Sequence, residues 1–112
     1  MTDAFPRVEG HLYAEGVPLE RIVHDVGTPV FVYSTMALCE AYDALAAALA
    51  PVRHTICYSI KSNMNLAVVR TLVARGAGVD ATSGGELFRA LRAGADPAKM
   101  VYSGVGKADA EI

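Results

Sequence analysis

Cysteine is scarce: Cys39 and Cys57 are the two among 112 residues. They form no C-x-x-C pair and provide no disulfide framework. Histidine is equally thin, and His11, His24 and His54 are scattered without the spacing a zinc site needs. Positive charge is not in surplus. Ten Lys+Arg stand against twelve Asp+Glu, a formal net charge of −2, so nothing is left over to neutralise phosphates and no nucleic-acid partner is expected. Long apolar runs are missing as well. Residues 1–7 lack the apolar core of a signal peptide, and the Ala-rich stretch 37–50 is broken by Glu40 and Asp43, so it cannot span a bilayer. These absences predict a cytoplasmic protein with no structural metal and no membrane contact.

What is present is an apolar chain, 53% hydrophobic against 20% charged, of a length that suits one small domain or a piece of a larger one. Residues 1–29 are punctuated by Gly10, Gly16, Pro18, Gly27 and Pro29. They predict irregular backbone with room for one short helix at 19–26. Residues 30–33, Val-Phe-Val-Tyr, are β-branched and aromatic and read as a strand. An Ala- and Leu-rich helix follows over 35–50 and is stopped by Pro51.

Residues 54–61 predict a second strand. Over 66–75, Leu66, Val69 and Val73 fall at helical spacing, and Gly76 supplies the stop. A third strand is expected at 78–83. The next helix opens on Ser83-Gly84-Gly85-Glu86, a capping box, with Leu87, Phe88 and Leu91 as its buried stripe and Glu86, Arg89 and Arg92 on the wet side. Gly94 and Pro97 end it. Residues 100–103 predict a fourth strand, and 108–112 the opening of another helix.

Strands alternating with helices across short connections imply parallel pairing and an α/β fold. A (β/α)8 barrel takes about 250 residues. The fold class is therefore read as an incomplete (β/α)8 TIM-like barrel, first strands and helices only, the front portion of a longer protein.

Two glycine motifs fail on context. Residues 76–81 match G-x-G-x-x-A but run from helix into strand, the reverse of what a dinucleotide site needs. Residues 104–107, Gly-Val-Gly-Lys, resemble a P-loop tail, yet Val101 stands where its first glycine belongs and Ala108 where Ser or Thr must bind magnesium.

Lys61 is the stronger candidate. Alternation along a strand puts Cys57, Ser59 and Lys61 on one face and the larger Ile56, Tyr58 and Ile60 on the other. The large set belongs under the helices. The small set then points inward, toward the C-terminal mouth where α/β barrels keep their chemistry. A lysine desolvated there presents a neutral, nucleophilic amine; a strand-end lysine also serves as a solvated terminus or an edge-blocking charge. Asp80, on the next strand near the same end, fits either a partner for a cationic imine or a structural ion pair.

These residues also carry a resemblance. Residues 58–63, Tyr-Ser-Ile-Lys-Ser-Asn, resemble the Tyr-x-x-Lys-[Ala/Ser]-Asn segment of the fold-type III pyridoxal-phosphate decarboxylases. Residues 78–87 are similar to the Asp-x-x-Ser-Gly-Gly-Glu-Leu segment typical of the diaminopimelate decarboxylase branch. Residues 101–107 resemble its next strand and turn, and residues 27–33 its Gly-Thr-Pro-x-x-Val-Tyr entry strand. The four segments occur in family order over roughly residues 10–112. Ser59 departs from the pattern, where alanine is commoner.

The resemblance implies pyridoxal 5′-phosphate as cofactor, Lys61 as its Schiff-base lysine, and Asp80 near that imine as a second catalytic residue. It implies that residues 1–34 contribute a strand to a separate β-rich domain and that residues 35–112 begin the barrel. Decarboxylation of meso-2,6-diaminopimelate to L-lysine, within a full-length homodimer that takes a small amino-acid substrate, is the activity implied. Ornithine, arginine or carboxynorspermidine decarboxylation, or a non-catalytic pyridoxal-phosphate barrel, are the alternatives. The family's phosphate loop, ring-nitrogen carboxylate, stacking histidine and partner-subunit residues lie downstream of Ile112, so these 112 residues alone are expected to be inactive.

Overall fold

The computed structural model describes residues 2–112. They form two compact units divided between Ala41 and Tyr42.

The first unit opens with an antiparallel meander: β1 (Arg7–Val8), β2 (His11–Ala14) and β3 (Val17–Pro18). Val8 pairs with His11 and Ala14 with Val17. Glu9 and Gly10 join β1 to β2 with φ of 51° and 87°, the consecutive positive values that a two-residue hairpin turn of primed type requires. Residues 2–29 are thus more ordered than their punctuation predicts. Strands of two to four residues are too short to leave a readable alternation.

Helix α1 (Leu19–Val26) occupies the predicted span. Gly27 ends it at φ 79°, donating its amide to the Val23 carbonyl at 2.8 Å. Residues 30–33 differ from expectation: they join no β-ladder among the described residues, and Phe31 is 86% exposed. β-branched composition favours extended backbone, but a strand also needs a neighbour to bond with.

Helix α2 (Thr35–Leu49) is capped by Ser34, whose Oγ accepts from the Ala37 amide at 2.9 Å. The same hydroxyl donates to Glu15 Oε1 at 2.8 Å, and the Met36 amide donates to that oxygen at 2.8 Å. The Met36 amide first, and then the Ser34 hydroxyl, hold the Glu15 carboxyl below its usual range. A carboxyl depressed in the folded state contributes stability above its unfolded value and loses it as pH falls through the folded one. Thermal midpoints followed from neutral pH into the acid range should therefore drop more steeply for the wild type than for Glu15→Gln. Parallel curves would show that Glu15 is not a pH-dependent brace.

The second unit holds the parallel sheet. β4 (Cys57–Ser59), β5 (Gly78–Ala81) and β6 (Met100–Tyr102) lie side by side in chain order, with Tyr58 opposite Val79 and Val79 opposite Met100. Helices α3 (Leu66–Ala74) and α4 (Gly84–Arg92) make the crossovers. Each strand laid beside its predecessor is the progression that opens a barrel. Three strands do not close one, and the observed fold is an α/β unit with an open parallel sheet.

The core joins Ile60, Val69, Val79, Ala81, Ala90, Ala93 and Ala95, flanked by Tyr58, Leu66, Leu87 and Met100. Alanines at the helix–sheet contact let α4 settle close to the strands. Its rotation overturns part of the predicted stripe. Phe88 and Leu91 are 61% and 52% exposed, whereas Glu86 is buried beside Ala90. Leu87 alone of the expected stripe packs on the core. The burial of Glu86 has a local cause. Ser83 Oγ accepts from the Glu86 amide at 3.2 Å, as the capping box predicts, but the carboxylate reaches one residue further back. It takes the Thr82 amide at 2.6 Å and the Thr82 hydroxyl at 3.1 Å.

No described helix is long and apolar enough to cross a membrane. Among the described residues, no group of three or more His, Cys, Asp or Glu is arranged to hold a metal ion.

Candidate active site

The second strand ends earlier than its composition predicts. β4 stops at Ser59, and Ile60–Ser62 form a single 3-10 turn with Lys61 in its middle. Ile60 anchors the turn in the core at 0% exposure. Around Lys61 the loop is braced by its own side chains. Ser62 Oγ donates to the Ser59 carbonyl at 2.7 Å and the Tyr58 hydroxyl to the Asn63 carbonyl at 3.1 Å. Asn63 Oδ1 accepts from the Asn65 amide at 3.0 Å, and Asn65 in turn caps α3 through the Ala67 amide at 2.9 Å.

Lys61 itself is exposed, not desolvated as the strand reading predicts. Strand alternation ends with the strand at Ser59, so the burial of Ile60 leaves Lys61 outward at the sheet's C-terminal edge. The chain has three lysines. Lys99 Nζ donates to the Gly76 carbonyl at 3.5 Å, and Lys107 Nζ donates to the Gly104 carbonyl at 2.7 Å while lying over the Tyr102 ring. Lys61 alone of the three has no hydrogen-bond or ion-pair partner among the described residues.

Asp80 lies on β5 opposite Ser59. Its oxygens are taken by two hydroxyls: Ser59 Oγ donates to Oδ2 at 3.1 Å, and Ser103 Oγ donates to Oδ1 at 2.6 Å. No ion pair within 4.0 Å joins Asp80 to Lys61 or to any other described cation. The structural ion pair considered for Asp80 is thus absent among the described residues, and its bonds are to hydroxyls instead. The sequence reading missed the two serines, because cross-strand register decides who faces Asp80. The one signal available was the alternation that puts Ser59 on the small-residue face.

Both discarded glycine motifs are structural. Gly76 sits at φ 100° as the stop of α3, and Gly78 begins β5. Beyond β6, Glu111 folds back over this end of the unit. Its Oε1 accepts from the Gly84 amide at 2.7 Å and from the Tyr102 hydroxyl at 3.3 Å, while Oε2 accepts from the Ala108 amide at 2.9 Å. The Ala108 and Gly84 amides lower the Glu111 carboxyl from its usual value. Desolvation, reinforced by Glu111, pushes the Tyr102 phenol up.

Residues 36–112 match the family described as pyridoxal-dependent decarboxylase, pyridoxal binding domain. The chain belongs to that family. Among curated relatives, the diaminopimelate decarboxylase of Pseudomonas aeruginosa is 50% identical over 105 residues, 94% of this chain and 25% of that protein. The Vibrio cholerae diaminopimelate decarboxylase is 46% identical over 104 residues, 93% of this chain and 25% of that protein. The chain thus spans about a quarter of the length of the curated relatives it matches. A crystal structure of diaminopimelate decarboxylase from M. jannaschii in co-complex with L-lysine matches 97% of this chain and 26% of its own, with TM-score 0.92 at 28% identity. A lysine/ornithine decarboxylase from Vibrio vulnificus complexed with cadaverine matches 84% of this chain and 25% of its own, with TM-score 0.76 at 31% identity.

Proposed function

We propose that this chain is the N-terminal part of a pyridoxal-phosphate-dependent carboxy-lyase that converts meso-2,6-diaminopimelate to L-lysine and carbon dioxide, with Lys61 as the Schiff-base lysine. The observation that carries the site is the state of the three lysines. Lys99 and Lys107 are tied to backbone carbonyls, and Lys61, on a braced turn at the C-terminal edge of a parallel sheet, keeps its amine free. Relatives at 46–50% identity over almost the whole chain support the substrate.

The residues present fit the cofactor. An amine without a partner among the described residues is what a covalent link to an aldehyde needs, and the hydroxyl-held Asp80 leaves carboxylate lone pairs open on the neighbouring strand. Pyridoxal phosphate, when bound, supplies the electron sink for the pair left behind as carbon dioxide departs. The chain supplies the rest of what lies in these residues. Lys61 Nζ would hold the cofactor and would carry protons at that atom. Asp80, on the neighbouring strand opposite Ser59, would add a carboxylate at this end of the sheet. Residues 58–63 brace the turn through the Tyr58 and Ser62 bonds, so the Lys61 backbone starts from one place.

In this reading residues 1–34 add a strand to a separate β-rich domain, and residues 35–112 open a TIM-like barrel. The complete protein is a cytoplasmic homodimer. The Vibrio vulnificus likeness favours a second reading, decarboxylation of lysine or ornithine on the same framework. A product assay separates the two: the complete polypeptide with pyridoxal phosphate is offered diaminopimelate, lysine, ornithine and arginine in turn. Carbon dioxide with L-lysine from diaminopimelate alone is the expected result. Release of cadaverine or putrescine at a higher kcat/KM would overturn the substrate assignment.

A further inference from the structure

Ser59, Asp80 and Ser103 form a polar row across three neighbouring strands. Ser59 and Asp80 are register partners on β4 and β5. Ser103 follows β6 directly, and its amide donates to the Ala81 carbonyl at 2.9 Å, which extends the sheet bonding by one residue. On the other face Tyr58, Val79 and Ala81 pack into the core under the helices. Side chains alternate along a strand, so the row lies on the sheet face turned away from α3 and α4.

The bonds on Asp80 are divided in a specific way. Oδ2 is held from the β4 side at 3.1 Å and Oδ1 from the β6 side at 2.6 Å. A carboxylate held through one oxygen still turns about its Cβ–Cγ bond. One held through both, by donors on different strands, cannot turn without breaking a hydrogen bond. Two of its roughly four lone-pair sites remain open.

We propose that Ser59 and Ser103 are positioning residues that fix the Asp80 carboxylate in one orientation beside the Lys61 turn. This rests on reading Lys61 as the cofactor lysine, and it adds the groups that set the field that lysine experiences. Without the two hydroxyls, Asp80 turns toward water, is screened, and steadies a neighbouring cation less.

The test is the pH dependence of the visible absorbance of pyridoxal phosphate bound to the complete polypeptide. It compares the wild type with Ser59→Ala, Ser103→Ala, the double variant and Ser59→Thr. The double variant should lose its protonated band at a pH lower by about one unit. Each single alanine should move the midpoint part of the way, and Ser59→Thr, which keeps its hydroxyl, should stay at the wild-type value. Should the double variant fail to fold, Ser59→Ala against Ser59→Thr makes the same comparison at smaller size. Wild-type midpoints in the alanine variants, with a band that still depends on Lys61, would overturn the positioning role alone. A band that survives Lys61→Ala would overturn the site reading and this role together.

Discussion

Lys61→Ala in the complete polypeptide is expected to abolish the visible band formed with pyridoxal phosphate and to lower turnover by at least the order of 10³-fold. The size follows from a double loss, the covalent attachment and the group that moves protons. Lys99→Ala and Lys107→Ala are the matched controls. Both ammonium groups already serve backbone carbonyls, of Gly76 and Gly104, so their loss should leave the band in place. Borohydride reduction followed by peptide mapping gives an independent readout, with label expected at Lys61. Label on another side chain would remove the basis of the proposed chemistry. Compared without added pyridoxal phosphate, the thermal midpoint of Lys61→Ala should stay near the wild-type value, because the exposed amine has no partner among the described residues to lose. A variant that unfolded would make Lys61 a structural residue.

Gly78→Ala should be the most damaging of the small substitutions in the sheet. A Cβ at Gly78 would overlap the Lys99 carbonyl oxygen and lie 2.9 Å from Cys57 Sγ. Neither neighbour gives way freely. Lys99 directly precedes β6, and Gly78 donates its own amide to the Ile56 carbonyl at 2.9 Å. Relief requires β5 to move away from both flanking strands, which loosens the register that sets Asp80 opposite Ser59. A loss of about 3 kcal/mol in unfolding free energy is expected, at the upper end of overpacking costs. Gly85→Ala is the contrasting change. Its Cβ would meet nothing closer than Ser83 Oγ at 3.9 Å, and an alanine within a helix gains up to about 1 kcal/mol over glycine. Chemical denaturation of the two variants side by side checks the pair. Equal stability of Gly78→Ala and wild type would mean that β5 can shift without loosening its register.

Much of the fold was legible because its signals are local. The span of α1, the Pro51 stop after α2, the Gly76 and Gly94 stops, and the Ser83 cap each depend on residues within a turn of one another. The alternation of strand and helix likewise predicts a parallel sheet from chain order alone, and the sheet is parallel in chain order. The errors lie where a partner elsewhere decides. Residues 30–33 have strand composition and join no β-ladder among the described residues. Phe88 and Leu91 have the spacing of a buried stripe, yet the alanine-lined contact and the pull of Thr82 on Glu86 turn α4 the other way.

The candidate site divides along the same line. Residue types and their order marked Lys61 and Asp80 as the groups to examine, because an amine and a carboxylate at adjacent strand ends are chemically conspicuous in any arrangement. Family membership was also carried by the four motifs in order, and the match over residues 36–112 bears it out. Tertiary structure alone decided that β4 ends before Lys61, that the lysine is exposed, and that Asp80 is clasped by Ser59 and Ser103. The reason is physical. Caps, stops and periodicity are written within a few consecutive residues, whereas register and helix rotation minimise the energy of surfaces brought together from distant parts of the chain.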